Sequence, residues 1–591
     1  MGKELFDNIP SKVGDLLNDV KNGRIGLPDL QRPFVWKDNK VRDLLDSMLK
    51  GYPIGYVMLW ESPANFENKG QIGINDKTFN TARDLVIDGQ QRLTALLGAI
   101  KGIKIKNVNY KERNIKISFN PLKREFAVWS QAYERNPEWI SAVSQVFAAH
   151  EEQLNVTKFR KAYISQLNES RVRNELPRLS DDEEIVIEEN INALLNLNIY
   201  LLPTLRISAT AQDVADIFVR VNSGGQKLTE KNFIETLLAV YDNEIHDKIN
   251  DFCRTSRIPE AGTSYNHILE VNPVHLIRAT VGIAFKRARL KYAYMLLRGK
   301  DLQTGQFAEE IRTDNLLKFR EALTLVVNLN HWHAFMNIVA EAGYLNGSLV
   351  SSENAIVFSY MLYLIGKTEY NVQPMELKKI MQRWFFMTTI KGFYTNSPES
   401  AVEKQFADLR KVHTSRDFVD YLDNEIKSQF TDDYFKYNLP NDLVTSSTQS
   451  PAWYGYVASL NVLGYPMLFS NTPTSKYFIV GASGGKSSID IHHIYPKNYL
   501  SQIGIEDDRE RNQIANYTFL DYSTNIDISD NPPSEYVLAY KSRLGVEGYK
   551  ITCFQNALPE NFENLEYHDF LTKRRVLMAE LIFRAYRKLS E

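Results

Sequence analysis

Residues 490–497 read Asp-Ile-His-His-Ile-Tyr-Pro-Lys, and this stretch decides the fold of the C-terminal part of the chain. Polar and apolar residues alternate up to two adjacent histidines, which predicts a strand that ends at a loop. Successive side chains of a strand point to opposite faces, so His492 and His493 face different sides. One imidazole can then hold a divalent metal while the other faces a phosphate ester.

Two asparagines downstream extend this pattern. The segment 512–520 reads NQIANYTFL, and Asn525 follows it. Hydrolysis of a phosphodiester needs an activated water and a cation beside the developing charge. A neutral imidazole suits the first task, and the amide oxygen of Asn525 suits a hard divalent cation. A histidine pair alone has a plainer interpretation, as two polar residues on a strand. Its combination with Pro496 and the two asparagines favours a nuclease centre.

The same residues resemble the HNH, or His-Me finger, nucleases in the form that ends restriction proteins of the DUF1524 group. They are also similar to the HNH domain of RNA-guided DNA nucleases, because Asn516 and Asn525 stand nine residues apart and SDNPPSE follows at 529–535. The resemblance implies a ββα-metal fold in which His493 is the general base and Asn516 fixes the catalytic loop. His492 and Asn525 are then the metal ligands.

One position departs from the pattern of that family. The family usually carries Asp or Glu where His492 stands, and imidazole is a softer ligand than carboxylate. We therefore expect Mn²⁺, Ni²⁺ or Co²⁺ to support activity as well as Mg²⁺. Asp490 lies on the same strand face as His492 and offers the missing carboxylate.

Basic residues near the centre are candidate contacts for DNA. Lys486 and Lys497 flank the two histidines, and Arg574 and Arg575 lie in a predicted last helix. For the pair in the helix, a solvated surface is an equal alternative.

A second group of motifs lies near the N-terminus. Residues 88–94 read DGQQRLT, between an apolar strand and a predicted helix. A glycine-containing loop at the start of a helix aims backbone N–H groups and the positive end of the helix dipole at an anion. Arg92 adds a bidentate phosphate donor, and Asp88 can hold a cation or polarise water. The turns QRP at 31–33 and NSGG at 222–225 are further anion-binding candidates. None of these motifs matches a Walker P-loop or a dinucleotide pattern, and the residues alone favour tight structural turns over a phosphate site.

Three strings, QRPFVW at 31–36, DGQQRLTAL at 88–96 and IFVRVNSGG at 217–225, together resemble the DUF262 domain of the GmrSD family. These proteins are modification-dependent, or Type IV, restriction systems, and together with the HNH resemblance the similarity covers about two thirds of the chain. It implies a ParB/sulfiredoxin-like domain that binds and hydrolyses nucleoside triphosphates and regulates cleavage of modified phage DNA. The implied nucleotide site comprises Gln31, Arg32, Asp88, Gly89, Gln90, Gln91 and Arg92, with Asn222 and Gly224 as further candidates.

Composition limits the class of protein. The 591 residues are too many for one hydrophobic core, and 43% apolar with 24% charged residues is ordinary for a globular protein. A formal net charge of −2 argues against coating nucleic acid by bulk electrostatics. The two cysteines, Cys253 and Cys553, argue against a disulfide framework or a cysteine zinc site. With neither an apolar signal-peptide core at the start nor a membrane-length apolar stretch, we expect a cytoplasmic protein.

The patterns predict an α+β protein with three regions. Residues 1–243 form the DUF262-like domain with a helical insertion at about 136–197, residues 244–440 form an all-helical region, and residues 441–591 form the HNH domain. The local predictions are helices over 38–50, 91–100, 213–221 and 567–589, strands over 27–36, 53–60, 84–87 and 200–207, and a strand pair over 115–119 and 125–129.

The resemblance implies a defence endonuclease that cuts double-stranded, modified phage DNA with a divalent metal and is switched by a nucleoside triphosphate. One alternative is a nicking enzyme stimulated by phosphorothioate in the DNA backbone. A second, of a different class, is an NTP-regulated DNA-binding or signalling protein whose HNH domain is inert because His492 replaces the acid. We expect no membrane partner, and the interpretation admits a homodimer.

Overall fold

The computed structural model describes residues 6–26, 34–61, 84–107, 111–151, 156–208, 242–260, 262–301, 304–479, 489–521 and 530–591, and the single positions 217, 234, 238, 524 and 528. At positions 243, 489 and 490 it describes only the backbone. The chain divides into two compact units, unit 1 (Met1–Lys248) and unit 2 (Ile249–Glu591).

Short strands form the centre of unit 1. They are β1 (Phe6–Asn8), β2 (Ser11–Lys12), β3 (Ile25–Gly26), β4 (Val57–Glu61), β5 (Asp84–Asp88), β6 (Ile105–Lys106), β7 (Glu112–Arg113), β8 (Ile117–Asn120), β9 (Glu125–Val128), β10 (Leu201–Leu202) and β11 (Thr204–Ile207). Five of these described strands form one sheet in the order β1–β11–β4–β5–β3. The sheet is mixed, because β4 pairs parallel with β11 and antiparallel with β5. Both of its faces are covered, since the side chains from Val57 to Trp60 are all buried.

Helices accompany these strands in the described part of unit 1. They are α1 (Val13–Lys21), α2 (Asp38–Leu49), α3 (Gln90–Lys101), α4 (Gln131–Arg135), α5 (Ser144–Glu151), α6 (Val156–Arg173) and α7 (Asp181–Leu195), with a short 3₁₀ helix at Asn196–Ile199. The predicted helix over 38–50 is confirmed as α2, which buries the apolar stripe that the sequence showed. It ends before Gly51, whose φ of 72° is costly for other residues.

Other local predictions for unit 1 differ mainly at the ends of elements. β5, α3 and the β8–β9 pair match the predicted strand, helix and strand pair. The strand predicted over 53–60 begins only at Val57, because Gly55 has a φ of 96° that breaks the extended backbone. The strand predicted over 27–36 and the helix predicted over 213–221 lie almost entirely outside the described residues.

Unit 2 is mostly helical and begins within α8 (Asn243–Thr255). The helices that follow are α9 (Pro273–Phe285), α10 (Leu290–Leu297), α11 (Glu309–Val326), α12 (Leu329–Glu341), α13 (Glu353–Thr368), α14 (Pro374–Ile390), α15 (Pro398–Leu409), α16 (Ser415–Gln429), α17 (Leu439–Asp442), α18 (Pro451–Leu463), α19 (Ser475–Phe478), α20 (Lys497–Gln502), α21 (Asp508–Arg511), α22 (Pro533–Gln555) and α23 (Tyr567–Ser590). Short helical turns lie at Gly347–Leu349, Tyr434–Asn438, Ile514–Asn516 and Phe562–Asn564. The helical character predicted for 244–440 and the predicted last helix are both found.

The core of unit 2 lies around α13 and α14. Every side chain of α13 from Ala355 to Gly366 is buried, which is typical of a helix that other helices surround. The aromatic cluster at 384–386 in α14 is also buried, and packing explains it. Two strands, β12 (Ile489–His493) and β13 (Tyr517–Asp521), form a separate antiparallel hairpin.

None of the helices that the structure describes combines the length and the apolar character needed to cross a bilayer.

Candidate active site

The two neighbouring histidines end strand β12. In the antiparallel register His493 lies opposite Tyr517 and His492 lies opposite Thr518. The loop that joins β12 to β13 contains α20, α21 and the 3₁₀ turn at Ile514–Asn516. Because side chains alternate along a strand, the two imidazoles leave β12 on opposite faces.

His493 is held by a residue to which the sequence patterns gave no role. Its Nε2 lies 3.0 Å from Oδ1 of Asn512, and its ring packs edge-on against Tyr517 with 4.8 Å between ring centroids. An amide oxygen only accepts hydrogen bonds, so Nε2 of His493 carries the proton. Nδ1 then has the lone pair, which is the tautomer that a base needs.

The surroundings of His493 favour its neutral form. Partial burial lowers the pKa of the imidazole below its ordinary value of 6.5, although the hydrogen bond with Asn512 acts in the opposite direction. The positive charges of Lys497 and Arg511 lower the pKa further. A neutral imidazole at ordinary pH can accept a proton from water.

Asn516 joins the two ends of the loop. The side chain is fully buried, and its Oδ1 accepts a hydrogen bond from the backbone N–H of Tyr495 at 2.8 Å. Its Nδ2 donates to the carbonyl oxygens of Tyr495 at 3.0 Å and Arg511 at 3.1 Å. The backbone of Asn516 adds a fourth contact, because its carbonyl accepts from Ile494 N at 2.8 Å. Asn516 therefore positions the residues that follow His493.

Tyrosine hydroxyls hold the same loop from outside. Tyr536 of α22 donates to the carbonyl of Ile494 at 2.8 Å. The hydroxyl of Tyr495 donates in turn to the carbonyl of Phe562 at 2.6 Å. Tyr567, at the start of α23, donates to the carbonyl of Glu510 at 2.8 Å. The sequence patterns indicated none of these contacts, because packing in the core is the default explanation for a tyrosine.

Arg574 is not a DNA contact, and that prediction is wrong. Its side chain is fully buried in unit 2, and Nη1 donates to the carbonyl of Ala515 at 2.7 Å. Burial lowers the pKa of the Arg574 guanidinium, and the nearby hydroxyl of Tyr456 acts in the opposite direction and raises it. A group that solvent does not reach cannot meet a phosphate, so Arg574 instead fixes the turn beside Asn516.

The other predicted DNA contacts have different surroundings. Arg575 is partly buried, and its Nη2 donates to the side-chain oxygen of Gln513 at 2.9 Å. Lys497 is exposed at the start of α20 and lies close enough to influence His493. Lys486 lies outside the described residues. Among the described side chains of this group, that of Lys497 is exposed to solvent.

The structure describes only part of the predicted metal site. His492 is half-buried, the side chain of Asp490 is not described, and Asn525 lies outside the described residues. Within the described ranges, no three His, Cys, Asp or Glu side chains come together in a way that could hold a metal ion. An imidazole nitrogen with carboxylate and amide oxygens is a donor set that suits Mn²⁺, Co²⁺ or Ni²⁺.

The turn before α3 needs a glycine for two reasons. Gly89 has a φ of 93°, which other residues rarely adopt. A Cβ at this position would also lie 3.0 Å from Cγ2 of Val57 and 3.1 Å from the carbonyl oxygen of Tyr56. The strand therefore turns directly into α3 at the end of Asp88, and no side chain of Gly89 covers the start of the helix.

Arg92 reaches back across this turn. Its Nη1 donates to the carbonyl oxygen of Tyr56. A Cβ on Gly55 would lie 2.6 Å from Nη2 of Arg92, so Gly55 makes room for the guanidinium. Burial lowers the pKa of Arg92 and raises that of Tyr56 to about 12, and in both cases the nearby carboxylate of Asp88 pushes the pKa upwards. Sequence patterns did not single out Gly55 or Tyr56, because neither lies in a motif.

Gln91 links two of the sequence motifs. Its side-chain oxygen accepts a hydrogen bond from the backbone N–H of Val35 at 3.0 Å, which joins the QRPFVW string to the DGQQR turn. Gln90 begins α3 beside it. The remaining predicted nucleotide contacts, Gln31, Arg32, Asn222 and Gly224, lie outside the described residues.

Comparison with known proteins adds independent information on both regions. A family model described as the N-terminal domain of the GmrSD restriction endonuclease matches residues 13–239, and one for the C-terminal domain of GmrSD restriction endonucleases matches residues 423–579. The first range contains the turn before α3, and the second contains the β12–β13 hairpin. The uncharacterized protein MJ0686 of Methanocaldococcus jannaschii is 23% identical over 547 residues, which are 88% of this chain and 85% of that protein. The chain therefore belongs to the GmrSD restriction endonuclease family.

Proposed function

We propose that this protein is an NTP-regulated, metal-dependent endonuclease that cleaves modified foreign DNA. The observation that carries the proposal is the arrangement of His493. Its Nε2 faces an amide oxygen, its Nδ1 has no hydrogen-bond partner within the described ranges, and burial favours the neutral ring. Membership of a restriction endonuclease family supports DNA as the substrate.

His493 can carry out the proton transfer that starts hydrolysis. Its Nδ1 takes a proton from water as the water oxygen attacks phosphorus, and the bond to the leaving sugar oxygen breaks. The amide oxygen of Asn512 accepts the hydrogen bond from Nε2 also after the ring has become charged. Asn516 holds the loop that follows His493 in place. When bound, a divalent cation supplies stabilisation of the charge on phosphate, and His492, Asp490 and Asn525 would hold it.

We assign nucleotide binding to the turn before α3. A partly buried guanidinium that has no carboxylate hydrogen-bonded to it gains from an added anion, and Arg92 is such a group among the described residues. The N-terminus of α3 adds N–H groups that can receive an anion. Gln31, Arg32, Asn222 and Gly224 are included through the family resemblance. Regulation requires that the nucleotide bind two conformations of the protein with different affinity.

The detailed folds belong to the same proposal. The mixed sheet supports a ParB/sulfiredoxin-like domain, and the β12–β13 hairpin with its long loop supports a ββα-metal centre. The predicted boundaries after residues 243 and 440 and the predicted homodimer stay predictions.

The decisive experiment is cleavage of plain, hydroxymethylated, glucosylated and phosphorothioate DNA, each with and without NTP and with Mg²⁺, Mn²⁺, Ni²⁺ or Co²⁺. We expect the wild type to cut a modified substrate and His493→Ala to be inactive. His413→Ala, which removes an exposed histidine elsewhere in unit 2, is the matched control and retains activity. Equal cleavage by wild type and His493→Ala would overturn the proposal, and so would a wild type that cuts no substrate.

A further inference from the structure

A cavity in the helical part of unit 1 shares no residue with the two sites described above. It has a volume of about 490 Å³ and lies between the segment 134–141, the start of α5 and the length of α6. Ligand pockets in proteins have volumes of roughly 300–1,000 Å³. The motifs of the sequence assign nothing to this region.

Three aromatic side chains, those of Trp139, Phe159 and Tyr163, line the cavity, and we call them its aromatic wall. Two of them are held by contacts within unit 1. The ring of Tyr133 packs on Trp139 with 4.4 Å between centroids, and the hydroxyl of Tyr163 donates to the carbonyl of Glu138 at 2.8 Å. The polar end of Tyr163 is thus used within the protein, while its ring lines the cavity. Such a wall gives a flat ligand a surface on which to stack.

Carboxamides line the same cavity. Nδ2 of Asn174 donates to the carbonyl of Ser170 at 2.9 Å, and Nε2 of Gln145 donates to the hydroxyl of Ser141 at 3.3 Å. Neither of these hydrogen bonds uses the amide oxygen. Gln166 has no hydrogen-bond partner in the described parts of the chain. A carboxamide presents a donor beside an acceptor, which matches the edge of a nucleobase.

Two arginines supply positive charge. Arg135 and Arg173 line the cavity, and within the described ranges neither forms an ion pair with a carboxylate. Nε of Arg173 donates to the backbone carbonyl of Glu169 at 3.4 Å, which leaves both terminal nitrogens for a ligand. Arginine nitrogens of this kind bind phosphate in bidentate fashion. Glu134 is the carboxylate of the cavity, and a carboxylate can accept from the exocyclic amine of cytosine.

We infer that this cavity binds one nucleotide, with the base stacked on the aromatic wall, its edge on the carboxamides and its phosphate at the two arginines. A flat ring, a hydrogen-bonding edge and a phosphate occur together in a nucleotide. The source of that nucleotide rests on the proposed function: a nuclease that selects modified DNA needs a place to read a base turned out of the duplex.

Binding to the full-length chain tests the inference. The probes are deoxycytidine monophosphate, its 5-hydroxymethyl form, and a duplex oligonucleotide with one 5-hydroxymethylcytosine, measured by calorimetry. We expect Gln166→Leu and Arg173→Glu each to weaken binding at least tenfold. Arg178→Glu makes the same charge change at an exposed position of the same helical region, outside the cavity, and stays within about twofold.

The results of these measurements show whether the site exists and whether its ligand is DNA or a free nucleotide. Binding of the modified duplex above that of the free nucleotides, lost in Arg173→Glu, identifies a site for DNA, and binding of free nucleotide alone identifies a small-ligand site. Equal loss in Arg173→Glu and Arg178→Glu overturns the inference, as does wild-type binding by Gln166→Leu and Arg173→Glu.

The inference and the proposed function can fail independently. If the wild type cuts no DNA while Arg173→Glu selectively loses binding, the nucleotide site in the cavity is supported and the nuclease proposal is overturned. If the wild type cuts modified DNA and both cavity variants bind and cut as well as the wild type, the nuclease proposal is supported and the nucleotide site is overturned.

Discussion

The substitution Asn516→Asp tests how the loop after His493 is held. The amide of Asn516 accepts one hydrogen bond from Tyr495 and donates two, to the carbonyls of Tyr495 and Arg511, in a fully buried position. Aspartate keeps the size of the side chain and the accepted hydrogen bond. It also places an oxygen where two carbonyls need a donor, so both donated bonds are lost.

The expected cost follows from those two bonds. Leaving the carbonyl of Tyr495 without this donor costs about 1–3 kcal/mol. The carbonyl of Arg511 keeps the hydroxyl of Tyr567 at 3.4 Å, so the second lost bond adds roughly 1 kcal/mol and the total is roughly 2–4 kcal/mol. Burial and the two carbonyl oxygens raise the pKa of the new carboxyl above its ordinary value of about 3.9. The protonated acid can donate one hydrogen bond, so the variant is least destabilised at low pH. The loss of stability relative to wild type grows as the pH rises from about 4 through the raised pKa.

The free energy of unfolding in urea at pH 5 and pH 8, with hydrogen exchange at the amide of Tyr495, measures this effect. We expect a larger deficit at pH 8 and faster exchange at Tyr495. The control Asn330→Asp adds the same charge at an exposed position and stays within about 0.5 kcal/mol of wild type. A variant Asn516→Asp that is as stable as wild type at pH 8, or whose deficit is the same at both values, would refute the reasoning.

Three further predictions concern both sites. Because burial lowers the pKa of His493, we expect cleavage to be lost only as the pH falls through a midpoint below 6.5; a pH profile with a midpoint above 7 contradicts this. We expect Arg574→Lys to lower the thermal midpoint more than Arg574→Met, because lysine keeps a buried charge and loses the fork that reaches Ala515; the reverse order in calorimetry disproves it. Gly51→Ala and Gly89→Ala both strain a positive φ, but only at Gly89 does the new Cβ meet other atoms, so we expect Gly89→Ala to cost more, by about 1 kcal/mol in urea; equal costs argue against it.

Sequence alone predicted features that depend on near neighbours. The histidine pair, the helix that ends at Gly51 and the last helix all follow from periodicity or from residues a few positions apart. The strand that ends at His493 and the glycine turn at Gly89 were predicted for the same reason. Such features need no knowledge of which distant segments pack together.

The features that sequence did not predict depend on distant contacts. Arg574 looked like a surface residue of a basic helix, but it is buried because it meets the carbonyl of Ala515, far upstream in the chain. Asn512 was one of several polar residues in a loop until its contact with His493 distinguished it. Gly55 has a role only because the guanidinium of Arg92 packs on it.

The hydrogen bonds that hold the loop between β12 and β13 determine which of its residues can be exchanged. The loop accepts hydrogen bonds at its backbone carbonyl oxygens from the side chains of Tyr536, Tyr567 and Arg574. Every amino acid provides such an oxygen, whatever its side chain. The exposed side chains of Lys497 and Arg509 can therefore be exchanged while the backbone keeps its course. Such exchanges would give the loop a new outer surface while its backbone stays in place.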